Sequence, residues 1–386
     1  MKCVGGKMFG KRISLFKISG FELKIDLSWI IIAVLITWSL AEGVFPLHNK
    51  SLSKFIYWIM GAAGAIGLFL SVIFHELSHS VVARKFGLPM KGITLFIFGG
   101  VAEMDEEPPN PKTEFYMAIA GPLASIFLGL FLLALNYLGN LWTWNVSVKM
   151  VLSYLGTINF ILAGFNLIPA FPLDGGRVLR SFLWHRKKNL RSATRIASGI
   201  GIGFGTFLIF LGVFLVLAGG MIGGIWWVMI GIFLRNASKM SYQSILIKTA
   251  LEGEPIQRFM KENPIAVSPS TTIEDLVEKY IYKYHFKMYP VMKGSNLSGC
   301  VNLEDIKTVP RSDWRENTVD KLMKPCTNDN TIKITDNSVK AISVMSRTGN
   351  ATLLVVDKKG NLAGMVTLKD LLKFLSIKLN LGEMEE

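Results

Sequence analysis

The sequence predicts a polytopic α-helical membrane domain of six transmembrane helices with short β segments at the cytoplasmic face, followed by a soluble α/β domain. Three observations carry this. Of 386 residues, 51% are apolar and only 18% charged, against roughly 25% charged in ordinary soluble domains. Ionisable residues vanish from several stretches long enough to cross a bilayer, which takes about 20 apolar residues. The net charge of +14 is also unevenly held, since residues 1–245 carry 22 Lys/Arg against 10 Asp/Glu and residues 246–386 carry 20 against 18. Basic residues flanking apolar spans mark the cytoplasmic side of a membrane protein. A nucleic-acid binder would carry its basic patch on a soluble domain, so the lipid bilayer is expected as a partner and nucleic acid is not.

The N-terminal arm carries Lys2, Lys7, Lys11, Arg12, Lys17 and Lys24 and is followed by no small-residue cleavage site, so the first apolar stretch reads as a retained anchor. Before it, Ser14–Ile18 and Phe21–Ile25 alternate apolar and polar around Ser19 and Gly20, the pattern of a small hairpin. Six spans follow, at Leu27–Phe45, Phe55–Phe74, Phe115–Leu138, Val151–Ile168, Ile196–Ala218 and, shorter, Ile225–Leu234 with its flanks. Between the second and third, Ile93–Phe98 is apolar but too short to cross and is closed by Gly99 and Gly100, which suits a β segment at the cytoplasmic face. The loops agree with this count. The N-terminal arm holds six Lys/Arg, Arg84–Lys112 holds four and Arg177–Arg195 holds seven, whereas the alternate side has only Lys50, Lys54 and Lys149. Both termini are therefore expected in the cytoplasm of a multi-pass cell-membrane protein. Gly199, Gly201, Gly203 and Gly205 imitate a nucleotide fingerprint, but no strand precedes them, and close helix packing is the better reading.

The expected division is a membrane domain at 1–240, a linker at 241–258 and a repeated module at 259–386. Its two units, at about 259–310 and 322–376, show themselves in PVMKGSNLSGCVNLED (Pro290–Asp305) and VVDKKGNLAGMVTLKD (Val355–Asp370). At an offset of 65, Leu297, Gly299, Val301 and Asp305 match Leu362, Gly364, Val366 and Asp370, and Met260 and Met323 open the two units. Cys3, Cys300 and Cys326 form neither an even set nor a CxxC pair, which argues for a reducing compartment without disulfides or a zinc ribbon.

The chemistry concentrates at the end of the second span, in His75-Glu76-Leu77-Ser78-His79. On a helix the i, i+4 spacing puts both imidazoles on one face, where one tetrahedral metal takes both. Glu76, about 100° away, is left to move a proton. With 5 His and 17 Glu in the chain, HExxH arises by chance roughly 0.003 times. Two core histidines would explain the spacing in a soluble helix, but a carboxylate and two imidazoles at membrane depth are costly unless they line a working cavity. Such a site wants a third ligand and an open position. His48, His185 and His285 lie elsewhere. Asp174, in NLIPAFPLDGGR (Asn166–Arg177) after the fourth span, arrives on the same side as the histidines. Asp-Gly-Gly before Arg-Val-Leu-Arg equally invites an N-cap, so the residues leave both readings of Asp174 standing.

HELSH, GITLFIFGG, AGP at Ala120–Pro122 and the NLIPAFPLDGGR segment together resemble the site-two protease family of intramembrane metalloproteases. The likeness is to the archaeal and bacterial branch with a C-terminal pair of CBS domains, and it covers nearly the whole chain. It implies one zinc ion per chain bound by His75, His79 and Asp174, Glu76 as catalytic acid/base, and Asn166 as a donor to the substrate or the developing oxyanion. It also implies that Ile93–Phe98 offers an unpaired strand edge to an unwound substrate. In the CBS pair, a Gly-x-x-[Ser/Thr]-x-x-Asp run contacts the ribose of an adenine nucleotide. Gly364, Thr367 and Asp370 match it; Gly299, Asn302 and Asp305 put Asn in place of the hydroxyl, so one competent site and one departing from the pattern are expected, beside a purely structural or partner-docking module as the other reading. A homodimer through this module is in keeping with the resemblance. The implied function is a zinc endopeptidase cutting transmembrane protein substrates within or near the membrane, regulated through the CBS pair. The competing classes are a CBS-regulated membrane metal or ion transporter and a membrane-anchored zinc protease that cuts soluble peptides.

Overall fold

Four of the long helices begin where a polar cap meets an apolar run. A computed structural model describes residues 12–18, 21–26, 28–88, 90–96, 99–104 and 107–381. Lys2, Lys7, Lys11, Cys3, the Ser19–Gly20 link and the last two residues of the expected Ile93–Phe98 segment lie outside these. The chain divides into two units, one ending at Ile245 and one beginning at Leu246.

In the first unit the order is β1 (Arg12–Ile18), β2 (Phe21–Asp26), α1 (Ser28–Ser39), a π turn at Leu40–Val44, α2 (Phe45–His48), α3 (Lys54–Lys85), β3 (Met90–Phe96), β4 (Gly99–Met104), α4 (Pro111–Leu141), α5 (Val146–Asn166), α6 (Asp174–Lys187), α7 (Leu190–Leu217) and α8 (Met221–Leu251). Ser53, Asn110 and Asn189 each accept a hydrogen bond from the backbone N–H three residues on, at 3.4, 2.9 and 2.9 Å, and so start α3, α4 and α7. Pro111 occupies the first turn of α4, where its missing N–H costs nothing. Among the described residues, five helical stretches, Trp29–His48, α3, α4, α5 and α7, are long and apolar enough to cross a membrane. Large side chains stand outward from them with no protein to cover them, Phe207, Phe210, Phe214 and Leu217 along α7 among them. The sixth expected span falls in α8, whose apolar stretch is cut short at Arg235 and Lys239; it is not among those five. Of the four glycines in the middle of α7, Gly201 and Gly205 abut backbone of Phe171 and of Gly231, while Gly199 and Gly203 face open space.

The four strands form one sheet in the order β1-β2-β3-β4, antiparallel except for the parallel pair β2 and β3. This corrects the expectation for Ile93–Phe98. The chain does not stop at Gly99 and Gly100 but returns as β4, so β3 is paired on both sides and has no free edge. The outer strands among the described residues are β1 and β4.

The second unit contains β5 (Lys261–Glu262), α9 (Ile273–Asp275), a π turn at Leu276–Ile281, α10 (Tyr282–Tyr284), β6 (Met288–Lys293), β7 (Asn296–Asn302), α11 (Leu303–Ile306), β8 (Thr331–Lys333), α12 (Ser338–Thr348), β9 (Thr352–Val356), β10 (Leu362–Thr367) and α13 (Leu368–Asn380). Its two repeats exchange their leading segments. Lys261 and Glu262 of the first pair with Met365 and Gly364 of the second, and Lys324 of the second bridges Cys300 of the first. Gly299 and Gly364 are required by this exchange, since a Cβ on either would strike the backbone carbonyl of Lys324 or Lys261. The cores follow suit. Ile256 and Phe259 are buried with Ile332, Val355 and Val366, and Val319 is buried with Val267, Val291 and Val301. Cys300 joins Met288, Leu354 and Met365 in the cluster between the repeats, where burial pushes its thiol up to about 11 and leaves it unreactive.

Candidate metal centre

Three side chains converge at the C-terminal half of α3. His75 and His79 lie on one face of that helix, and Asp174 is the first residue of α6. His75 Nε2 is 3.1 Å from Asp174 Oδ2, His79 Nε2 is 3.2 Å from the same oxygen, and the two Nε2 atoms are 3.1 Å apart. All three residues are buried, and among the described residues they are the one cluster of His, Cys, Asp and Glu with metal-holding geometry. Three ligands at 2.0–2.1 Å from a tetrahedral zinc stand roughly 3.3 Å from one another, so this triangle has the right size for that ion.

The remaining ring nitrogens aim the triangle. His79 Nδ1 lies 2.6 Å from the backbone oxygen of Met117. A carbonyl only accepts, so the proton sits on Nδ1 and the lone pair of Nε2 faces the centre. His75 Nδ1 lies 2.9 Å from Ser125 Oγ. Met117, Gly121 and Ser125 are spaced four apart on α4 and form one ridge against the histidine face of α3. Gly121 faces the triangle itself: a Cβ there would lie 2.6 Å from His75 Nε2 and closer still to His79 Nε2. Pro122 adds a second device. It has no N–H to give the carbonyl of Ala118, which loosens the turn from which the Met117 carbonyl reaches His79.

Asp174 does not cap α6. The N-cap is Leu173, and the Asp174 carboxylate points to the histidines instead. The two glycines after it have a steric reason, since a Cβ at Gly175 would meet the carbonyls of Leu167 and Ile168 and one at Gly176 the backbone of Ala170 and Phe171. The loop folds back on the first turn of α6 and only glycine leaves it room. Ser238 of α8 donates to the Phe171 carbonyl and ties the same loop down.

Glu76 is half-buried, its nearest charged neighbours are His79, His75, Asp174 and Arg177, and no hydrogen bond engages its carboxylate among the described residues. Asn166 ends α5, half-buried, and its side chain makes no hydrogen bond there either. Seven residues before it on the same face, Asn159 is fully buried and donates to Ser71 Oγ at 2.9 Å, one turn before His75.

In the second unit, Thr367 Oγ1 donates to Asp370 Oδ2 at 2.5 Å and accepts from the Asp370 N–H at 3.2 Å. Asn302 and Asp305 form a reciprocal capping box on α11. Lys261 reaches Asp370 at 3.7 Å and Lys324 reaches Asp305 at 2.5 Å, so each aspartate is paired with the lysine that follows the opening methionine of one of the two units. Thr367, Asn302 and Asp305 thus make capping contacts and Asp370 holds the Thr367 hydroxyl, which accounts for the spacing without a ligand.

Residues 63–140 and 138–211 match the model of peptidase family M50, and residues 256–311 and 320–377 match that of the CBS domain. A putative zinc metalloprotease of Synechocystis is 33% identical over 376 residues, 96% of this chain and 97% of that protein. A zinc metalloprotease of Methanocaldococcus jannaschii is 31% identical over 366 residues, 95% of this chain and 96% of its own length. Among solved structures, a site-2 protease from Methanocaldococcus jannaschii is 31% identical and covers 60% of this chain and 94% of its own, with a TM-score of 0.42. The chain belongs to peptidase family M50, the site-2 protease family, and carries a CBS domain pair. It is a zinc metalloprotease with several membrane-type helices, not the metal transporter that the sequence left as a competing class.

Proposed function

We propose that this protein is an intramembrane endopeptidase that cuts transmembrane protein substrates, with one zinc ion per chain held by His75 Nε2, His79 Nε2 and Asp174 Oδ2. The observation that carries the reading is the triangle of ligand atoms at 3.1–3.2 Å, set beside an unengaged carboxylate. Zinc bound there supplies Lewis acidity to a peptide carbonyl and to a water molecule. The Glu76 carboxylate takes the proton of the attacking water and returns it to the leaving amide nitrogen. Asn166 Nδ2 donates to the carbonyl oxygen as negative charge grows there. A helical substrate must unwind first, because its carbonyls are otherwise engaged in the helical ladder, so segments with helix breakers near the cytoplasmic end are preferred. Six spans, cytoplasmic termini, a membrane domain at 1–240 and a regulatory module at 259–386 complete the proposal, supported by the Lys/Arg distribution among the loops.

The test is the position of the cut. Protein reconstituted in vesicles with a single-span substrate should release fragments whose ends map by mass spectrometry inside the apolar segment. Cuts confined to soluble flanks would make it a membrane-anchored protease of the ordinary kind. The histidine support is testable separately. Ser125→Ala is expected to weaken zinc binding about 10–100-fold, as loss of an orienting partner does, measured by competition with a chromophoric chelator.

Regulation by an adenine nucleotide at Thr367 and Asp370 belongs to the same proposal, supported by the match of the second repeat to the CBS pattern. Titration calorimetry of the full-length protein with ATP and AMP should give one site per chain, weakened at least tenfold by Asp370→Ala and little changed by Asp305→Ala. Absence of any binding heat leaves the module a structural or docking one.

A further inference from the structure

Arg180 is fully buried in α6, and its side chain is among the largest that this protein hides from solvent. Its Nε donates to Glu114 Oε1 of α4 at 2.6 Å and its Nη2 contacts the same oxygen. The same Nη2 lies 3.1 Å from Glu107 Oε2, three residues after the end of β4, and the guanidinium stands 5.0 Å from the centre of the Phe171 ring, in the loop that leads into Asp174. Resting on the reading of His75, His79 and Asp174 as zinc ligands, we propose that Arg180 is a positioning residue for Asp174, holding α6 in the roll that brings the Asp174 carboxylate to the two histidines.

Net stability is a poor reason for this arrangement. Both charges are withdrawn from water, Glu114 Oε2 and Arg180 Nη1 are buried without partners among the described residues, and apolar residues of similar volume hold two helices together as well as a buried ion pair does. Orientation is the better reason. Glu114 lies seven residues before Gly121 and therefore on the α4 ridge that carries Met117, Gly121 and Ser125. Met117 orients His79 and Ser125 orients His75. Glu114, through Arg180, references the helix of the third ligand to the same ridge, so one face of α4 sets all three. The need is quantitative. A roll of about 20° carries an atom about 5 Å from a helix axis through almost 2 Å, whereas a metal site tolerates about 0.2 Å. Arg180 contacts α4 from a point about 120° around α6 from Asp174, so the two anchors together leave no free roll.

The test uses full-length protein in detergent micelles, stripped of metal and titrated with zinc against a chelator, with the visible spectrum of the cobalt-loaded protein as a second readout. Arg180→Met should remain folded by gel filtration and circular dichroism, bind zinc at least tenfold more weakly and shift the cobalt bands; Arg180→Lys should recover part of the loss. A folded Arg180→Met with zinc affinity within twofold of wild type and an unchanged spectrum overturns the proposal. If Arg180→Met does not fold, Glu107→Gln decides, because Glu107 is half-exposed: a threefold or larger loss of affinity with a shifted spectrum supports the proposal, and no change overturns it. His75→Ala is the control, since undiminished zinc binding by that variant defeats the metal-site reading itself and not only the role of Arg180.

Discussion

Glu76→Gln should bind zinc as the wild type does and cut its substrate 10²–10⁴-fold more slowly, about the range that a positioned general base contributes. The substitution keeps the shape of the side chain and removes only its ability to take a proton. The Glu76 carboxylate makes no hydrogen bond among the described residues, so the amide orphans no partner. The change in stability should accordingly stay within about 0.5 kcal/mol. Three measurements on one preparation are needed: zinc content by mass spectrometry, thermal midpoint, and product formation from a transmembrane substrate. Lost zinc would make Glu76 a ligand. Cleavage at the wild-type rate would sink its assignment as the base.

What was legible beforehand followed from short-range periodicity. A spacing of four between two histidines is about one turn, so His75 and His79 could be placed on one face from the sequence alone. The repeat offset likewise paired Gly299 with Gly364. The rest depended on which elements meet, and local pattern does not encode that. Asp174 is separated from the histidines by two long helices, and its neighbours suited a cap as well as a ligand; only the fold-back of the loop onto Gly175 and Gly176 shows why the carboxylate turns inward. Ser125 and Glu114 looked like any serine and glutamate of a span and its flank until α4 packed against α3 and α6. Gly99 and Gly100 read as an ending because glycine punctuates, yet they open β4, and with β2 on the other side the presumed free edge of Ile93–Phe98 is covered. The repeat disclosed two equivalent units but not that they exchange their leading segments.

Gly121→Ala is the substitution from which the largest loss of metal is expected, and it separates the site from the scaffold. Alanine in place of glycine inside a helix favours the helix by up to about 1 kcal/mol, so α4 itself has no reason to weaken. The added methyl group, however, would stand 2.6 Å from His75 Nε2 and closer to His79 Nε2. Those two atoms and Asp174 Oδ2 are within 3.2 Å of one another, so the methyl would crowd two of the three ligand atoms. Either both rings rotate away, giving up the contacts of Nδ1 with Ser125 Oγ and the Met117 carbonyl, or α4 backs off α3 and takes those partners with it. Both routes destroy the triangle. Zinc affinity should fall at least a hundredfold and proteolysis should become undetectable. Thermal unfolding with and without zinc reads this directly. At a free zinc concentration of 100 times the wild-type Kd, the ion stabilises the wild type by about 2.7 kcal/mol, and the Gly121→Ala protein should show almost none of that shift while its metal-free midpoint holds. Gly199→Ala in α7, where a Cβ meets nothing within 4 Å, should keep the full zinc-dependent shift. Equal zinc stabilisation of the two variants would mean that Gly121 does not border the metal, and the histidine face of α3 would have to be assigned some other use.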